Sequence, residues 1–250
     1  MRAPSRCWVP EPVEPQPQIV FRDEHLLVID KPPGLPTTAP RPSDPSLTGW
    51  VRSRWSELRP HPTSRLDAQV SGLVTFALSR LANRRLLEAR RAGAYQRVYL
   101  GMTLAQPSAP EGEWTWPISL DPRNPMLRVA GTGRGQREAR TRYEVVASIA
   151  HATLLRMMPR TGRTHQLRVH AAEAGLPLFG DHAYRGPRRL TLEDGSVVTA
   201  RRVMLHCVRV SFPWRPGELR VFEAPVRPDM ERVWLALGGV PSALDPNVGT

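Results

Sequence analysis

Several segments of this chain alternate apolar and polar residues with a period of two, the spacing of half-buried strands. Residues 19–21 and 26–29, joined by Arg22, Asp23, Glu24 and His25, predict a hairpin. Residues 73–78 are an apolar run and predict a buried strand, with Ser71 and Gly72 as the turn signal before it. Further strands are expected over 95–104, 114–118, 142–149, 153–158, 202–212 and 219–222.

Two segments switch to the helical period. Ser79 is placed to cap a helix that ends at Gly93, with Ala82, Leu86 and Ala89 inward and Arg84, Arg85 and Arg91 outward. Thr164 is the expected cap of a second, in which Leu167, His170, Ala171 and Ala174 share a face and Gly175 and Pro177 end the element. So many strands with so few helices predict an α+β fold, a large, mixed, mostly antiparallel sheet with flanking helices and loops rather than regular βαβ repeats. Residues 1–17 are expected to be a proline-rich tail, 18–238 one domain, and 239–250 a C-terminal tail frayed from Ser242 onward. Residues 121–138 and 185–189, rich in Gly, Pro and Arg, are expected to be basic loops.

Arg65-Leu66-Asp67 lies just before the buried strand, so one aspartate is displayed at a strand mouth beside an arginine. A carboxylate so placed suits catalysis, and it equally suits a local turn or cap, which Asp favours on its own. Far along the chain, Arg163 and Arg168 fall at or near the start of the second helix, where free backbone N–H groups add positive potential. An anion belongs there, either a phosphate or the carboxylate of Asp67; two solvated surface arginines are the alternative.

Together these segments resemble the pseudouridine synthases of the RluA type. The similarity begins at residues 19–34 with the hairpin and its Lys31-Pro32 turn. It continues through Arg65-Leu66-Asp67, Tyr99, residues 162–170, Pro177 to Tyr184 and Leu205-His206, and ends near Phe222-Glu223-Ala224-Pro225. Two positions depart from the family pattern, Ser64 where His is usual and Val70 where Thr is usual. The resemblance implies the pseudouridine synthase catalytic fold and isomerisation of uridine to pseudouridine in structured RNA, a stem-loop of rRNA or tRNA. It makes Asp67 the essential aspartate, Arg65 the arginine that enters the RNA, Tyr99 the aromatic against the target base and Arg168 the partner of Asp67. Arg163 and Leu205 join them at the substrate. The chemistry it implies requires no metal or organic cofactor.

The composition agrees with that partner. The net charge is +12 over 250 residues, which favours a polyanion, and Lys31 is the only lysine. That lone lysine marks either a turn where a compact ammonium is wanted or an accident of an arginine-biased composition. Cys7 and Cys207 are the only cysteines and define no disulfide framework. With no signal-like or membrane-length apolar run, a cytoplasmic monomer is expected, with no membrane and no DNA partner. A metal-dependent nuclease is disfavoured because His165 and His170 diverge on a helix and no HExxH or CxxC pair occurs. A basic RNA-binding protein of the same fold without catalysis is the remaining alternative, and it would not need Asp67 beside Arg65 with Arg168 to match.

Overall fold

The computed structural model describes residues 16–246. All but the last two residues of the expected N-terminal tail lie outside them. The chain opens with the hairpin β1 (Gln18–Arg22) and β2 (Leu26–Lys31), then α1 (Leu47–Arg54), β3 (His61–Pro62), β4 (Ser71–Ala77) and α2 (Arg80–Arg91). The middle contains β5 (Gln96–Thr103), β6 (Glu111–Trp114), β7 (Ile118–Leu120), β8 (Arg128–Ala130), β9 (Thr141–Ile149) and β10 (Ala152–Pro159). It closes with α3 (Gln166–Glu173), the small pair β11 (Arg189–Thr191) and β12 (Val197–Thr199), β13 (Leu205–Arg215), β14 (Glu218–Glu223) and α4 (Pro228–Ala236).

The main sheet runs β1-β2-β4-β13-β5-β10-β9-β6, with β14 also on β13 and β3 on β4. The β4–β13 neighbours are parallel and every other pair is antiparallel, so the α+β architecture is as expected. β4 is buried along its whole length, as its unbroken apolar run requires, between the β1–β2 hairpin and the centre of the sheet. Against it α2 buries Ala82, Leu86 and Ala89, and the Ser79 hydroxyl caps its first turn by accepting from the Ala82 N–H.

Several expectations are corrected. The strand expected over 114–118 is two, β6 ending at Trp114 and β7 starting at Ile118; Pro117 has no N–H for a ladder, and the Trp116 carbonyl turns to accept from His170 Nε2 at 2.9 Å. The strand expected from Arg202 starts at Leu205 instead, because the backbone just before it serves the neighbouring turn, the Met204 N–H donating to the Phe179 carbonyl at 2.8 Å. Residues 121–138 are not wholly a loop: β8 pairs with β7, and Arg137 bridges back to Ile118. Arg189 likewise begins β11. Pro241–Leu244 is a short 3-10 turn that buries Ala243 and Leu244, where a frayed end was expected. α1 and α4 were not expected at all. No helix among the described residues is long and apolar enough to cross a membrane.

Candidate active site

Asp67 sits in the turn that delivers the chain into β4, and the backbone on both sides of it is bonded. The Thr37 hydroxyl donates to the Leu66 carbonyl at 3.0 Å and accepts from the Leu66 N–H at 2.9 Å. The Ala68 carbonyl accepts from the Gly34 N–H at 2.8 Å and from Lys31 Nζ at 3.2 Å. Lys31 is fully buried and also donates to the carbonyls of Pro32 and Leu35, so its three donors meet three carbonyls. That use explains the one lysine in an arginine-rich chain: a compact ammonium fits where a planar guanidinium does not. Burial pushes its pKa down to about 7. The turn thus aims the half-buried Asp67 carboxylate away from its own backbone.

Arg168 arrives from the first turn of α3. Its Nε and Nη2 donate to the two oxygens of Asp181, each at 2.7 Å, and its Nη1 donates to Asp67 Oδ2 at 3.1 Å. One planar guanidinium therefore clamps a buried carboxylate with its fork and presents the remaining edge to Asp67. Burial opposes its charge, but the bonds to Asp181 and the charges of Asp181 and Asp67 carry the Arg168 pKa above the usual arginine value. Tyr184 lies under the guanidinium, 4.8 Å from ring centre to Cζ.

The start of α3 is not capped by Thr164, as expected. The capping position is His165, which adopts a left-handed φ of 59° and makes no side-chain cap. Instead the Gln166 side chain folds back, its Oε1 accepting from the Arg163 N–H at 3.0 Å and the Thr161 hydroxyl at 2.7 Å. The strained turn puts the His165 ring beside the site, with Nε2 3.8 Å from Asp67 Oδ2 and Nδ1 2.7 Å from the Tyr184 hydroxyl. That hydroxyl accepts from the Arg128 N–H at 3.0 Å, so its own hydrogen is free to go to His165 Nδ1. Burial lowers the His165 pKa and raises that of Tyr184 to about 12, keeping both neutral near pH 7. His170, by contrast, is buried between Thr141 and the Trp116 carbonyl, a packing role.

A cavity of about 710 Å³ brings together all six residues singled out in the sequence: Arg65, Asp67, Tyr99, Arg163, Arg168 and Leu205. Tyr99 and Leu205 are buried parts of its wall. Burial holds the Tyr99 phenol far above its ordinary pKa, so it stays protonated. Arg65 is exposed, and Arg163 is half-buried with its Nε on the Glu138 carbonyl at 2.9 Å. The residues missed are Asp181, Tyr184 and His165, which orient the others, and Thr37, which holds the turn together with Lys31, whose use as a compact ammonium was one of the two readings of the lone lysine. Asp181 and Tyr184 fall inside the segment similar to the RluA type, and that was their one signal in the sequence.

Comparison with known proteins gives the family from two directions and the fold from a third. Residues 25–173 match the family described as RNA pseudouridylate synthase. The dual-specificity RNA pseudouridine synthase RluA of Escherichia coli strain K12 is 31% identical over 218 residues, 86% of this chain and 95% of that protein. Its counterpart from Pasteurella multocida is 32% identical over 205 residues, 80% and 89% of the two chains. Among solved structures, human RNA pseudouridylate synthase domain containing 4 superposes with a TM-score of 0.69 over 88% of this chain and 93% of its own, at 24% identity. Human RNA pseudouridylate synthase domain containing 1 gives 0.66 over 96% and 100%, at 21% identity.

Proposed function

We propose, from the premise that this chain belongs to the RNA pseudouridylate synthase family, that it isomerises uridine to pseudouridine in structured RNA with Asp67 as the essential carboxylate. The observation that carries the assignment of Asp67 is its pairing with Arg168, a guanidinium already locked onto buried Asp181, at the wall of a cavity that Tyr99 also lines. The reaction breaks the bond between uracil N1 and ribose C1′, turns the base and joins C5 to C1′. A single carboxylate serves either as nucleophile at the sugar or as the base that removes a sugar proton. In both routes Arg168 fixes its direction and sets a positive charge against it.

Tyr99 offers the detached uracil a flat face, its hydroxyl being held by Cys207 and Arg97. Reaching this cavity requires the target uridine to leave its stack, at a cost of roughly a few kcal/mol. Exposed Arg65 is the residue to fill the space it leaves. The relatives carry the name dual-specificity, and we extend this to stem-loops of both rRNA and tRNA as substrates. A monomer working in the cytoplasm completes the reading.

The test is Asp67→Asn, which keeps size and loses charge. Single-turnover isomerisation should fall to background while RNA affinity and Tm stay close to those of the parent. Turnover within about tenfold of the parent would remove Asp67 from the chemistry. Mapping pseudouridine in total RNA from cells with and without the gene names the substrate.

A further inference from the structure

Most buried or half-buried arginines in this protein are neutralised. Arg156 pairs with Glu144, Arg168 with Asp181 and Asp67, Arg202 with Asp229, Arg220 with Asp23 and Arg227 with Asp30. At the cavity wall half-buried Arg97 and Arg163 depart from that pattern, with exposed Arg65 and Arg90 beside them, and among the described residues none of the four forms an ion pair.

Three of them are nevertheless braced, each by a backbone carbonyl: Arg90 by Thr63, Arg97 by Thr161 at 2.9 Å and Arg163 by Glu138 at 2.9 Å. Each of these bonds engages one of the five guanidinium donors, and Arg97 also meets the Tyr99 hydroxyl, which still leaves donors for a ligand. Arg90 from α2 and Arg97 from β5 converge on the same space beside Gly162. A Cβ placed on that glycine would lie 3.1 Å from Arg90 Nη2 and 3.4 Å from Arg97 Nη2. Two like charges held this close, without a carboxylate between them, are unfavourable until an anion arrives. Gly162, having no Cβ, is what lets both guanidinium groups crowd this edge of the cavity.

We infer that the Arg90–Arg97 gap beside Gly162 is a phosphate site, which takes a backbone phosphodiester flanking the target uridine. The inference rests on the proposed activity for the identity of the ligand. The anion is a phosphodiester because the gap shares one cavity with Asp67 and Tyr99, so a nucleotide whose base reaches Tyr99 carries its own linkages past this wall. Planar forks braced from behind hold such a linkage in one register, and the sugar is thereby set against Asp67.

The test uses a stem-loop RNA with one loop uridine, in which the linkages around that uridine are replaced one at a time by neutral methylphosphonates. Parent protein should lose roughly tenfold in affinity at one flanking linkage, and Arg90→Gln should lose a similar factor with the unmodified RNA but nothing further at that linkage. Arg90→Gln should also lower the slope of log affinity against log salt by about one contact. Gly162→Val keeps both charges but fills the gap, and should behave like Arg90→Gln; this separates a built site from general positive charge. Inorganic phosphate should compete less well against RNA binding by Arg90→Gln than by the parent. Equal losses for parent and Arg90→Gln at every linkage, or a Gly162→Val protein with parental affinity, would overturn the site. Isomerisation by the parent without any linkage-specific loss would reject the phosphate site alone. Linkage-specific loss without isomerisation of any RNA would reject the proposed activity alone.

Discussion

Arg168 shows why one residue type is needed at one position. Its Nε and Nη2 are committed to Asp181 and its Nη1 to Asp67, so three donors in one plane link a buried anchor to the half-buried carboxylate. A lysine ammonium at this place keeps the charge but is a point donor and cannot span both carboxylates. Arg168→Lys should therefore slow the single-turnover step on the order of 100-fold, the scale of losing one pre-aimed electrostatic contact, with RNA affinity changed far less. Arg168→Ala should be slower still. If the lysine variant kept the parental rate and lost only affinity, Arg168 would be a phosphate contact and its fork would have no part in the chemistry.

At the scale of elements, the site depends on how closely β4 and β13 approach. They pair in parallel through His206 with Ser71 and Cys207 with Gly72, and this places Leu205 in the wall beside the Asp67 turn. Gly72 has φ +112°, and a Cβ there would lie 2.4 Å from both the N and the O of Cys207, which are backbone atoms that cannot yield. Gly72→Ala should cost about 3 kcal/mol or more of folding stability and should depress activity even where the protein remains folded. Urea unfolding measures the first and single turnover the second; a variant with parental stability would show that the two strands can separate freely.

The same strands explain what was readable beforehand. β5, β9, β10 and β13 are long enough for periodicity to show and β4 shows as an unbroken apolar run, whereas β3, β7, β8, β11 and β12 have two or three residues each and no period to display. α4 was readable, through Pro228 at its start and Met230, Val233, Trp234 and Leu237 at helical spacing, but a reading dominated by strands passes over it. Asp67 and Arg168 stood out locally, at a strand mouth and a helix start, but their pairing as a certainty and the part of Tyr99 came from the family resemblance, because their meeting is tertiary and no local rule encodes it. His165 escaped because a left-handed histidine has no sequence signature comparable to that of glycine or asparagine.

For the molecule as a whole, the junction of β4, β13 and β5 carries both the site and a titratable load. His206 is fully buried there, with Nδ1 2.8 Å from the Ser71 hydroxyl, and burial together with the Arg202 and Arg227 charges pushes its pKa down to about 3 from an ordinary 6.5. Between those two values the unfolded chain holds a proton on this ring that the native protein excludes. Stability must then fall as pH falls through that window, at a rate limited to about 1.4 kcal/mol per pH unit for one group. Asp30, whose pKa burial raises to about 6, contributes a slope of the opposite sign over part of the range, so the parent's total slope does not isolate His206. A difference does. His206→Asn keeps a polar group facing Ser71 and removes the titration, while Asp30 and the rising net charge act on both proteins alike. Urea unfolding of the two at about pH 7 and about pH 4.5 should show the stability gap shifting on the order of 2 kcal/mol in favour of the variant at the lower pH. A gap that stays constant would mean that His206 is protonated in the native protein near its ordinary pKa, and that the junction under the active site admits charge which its packing is expected to refuse.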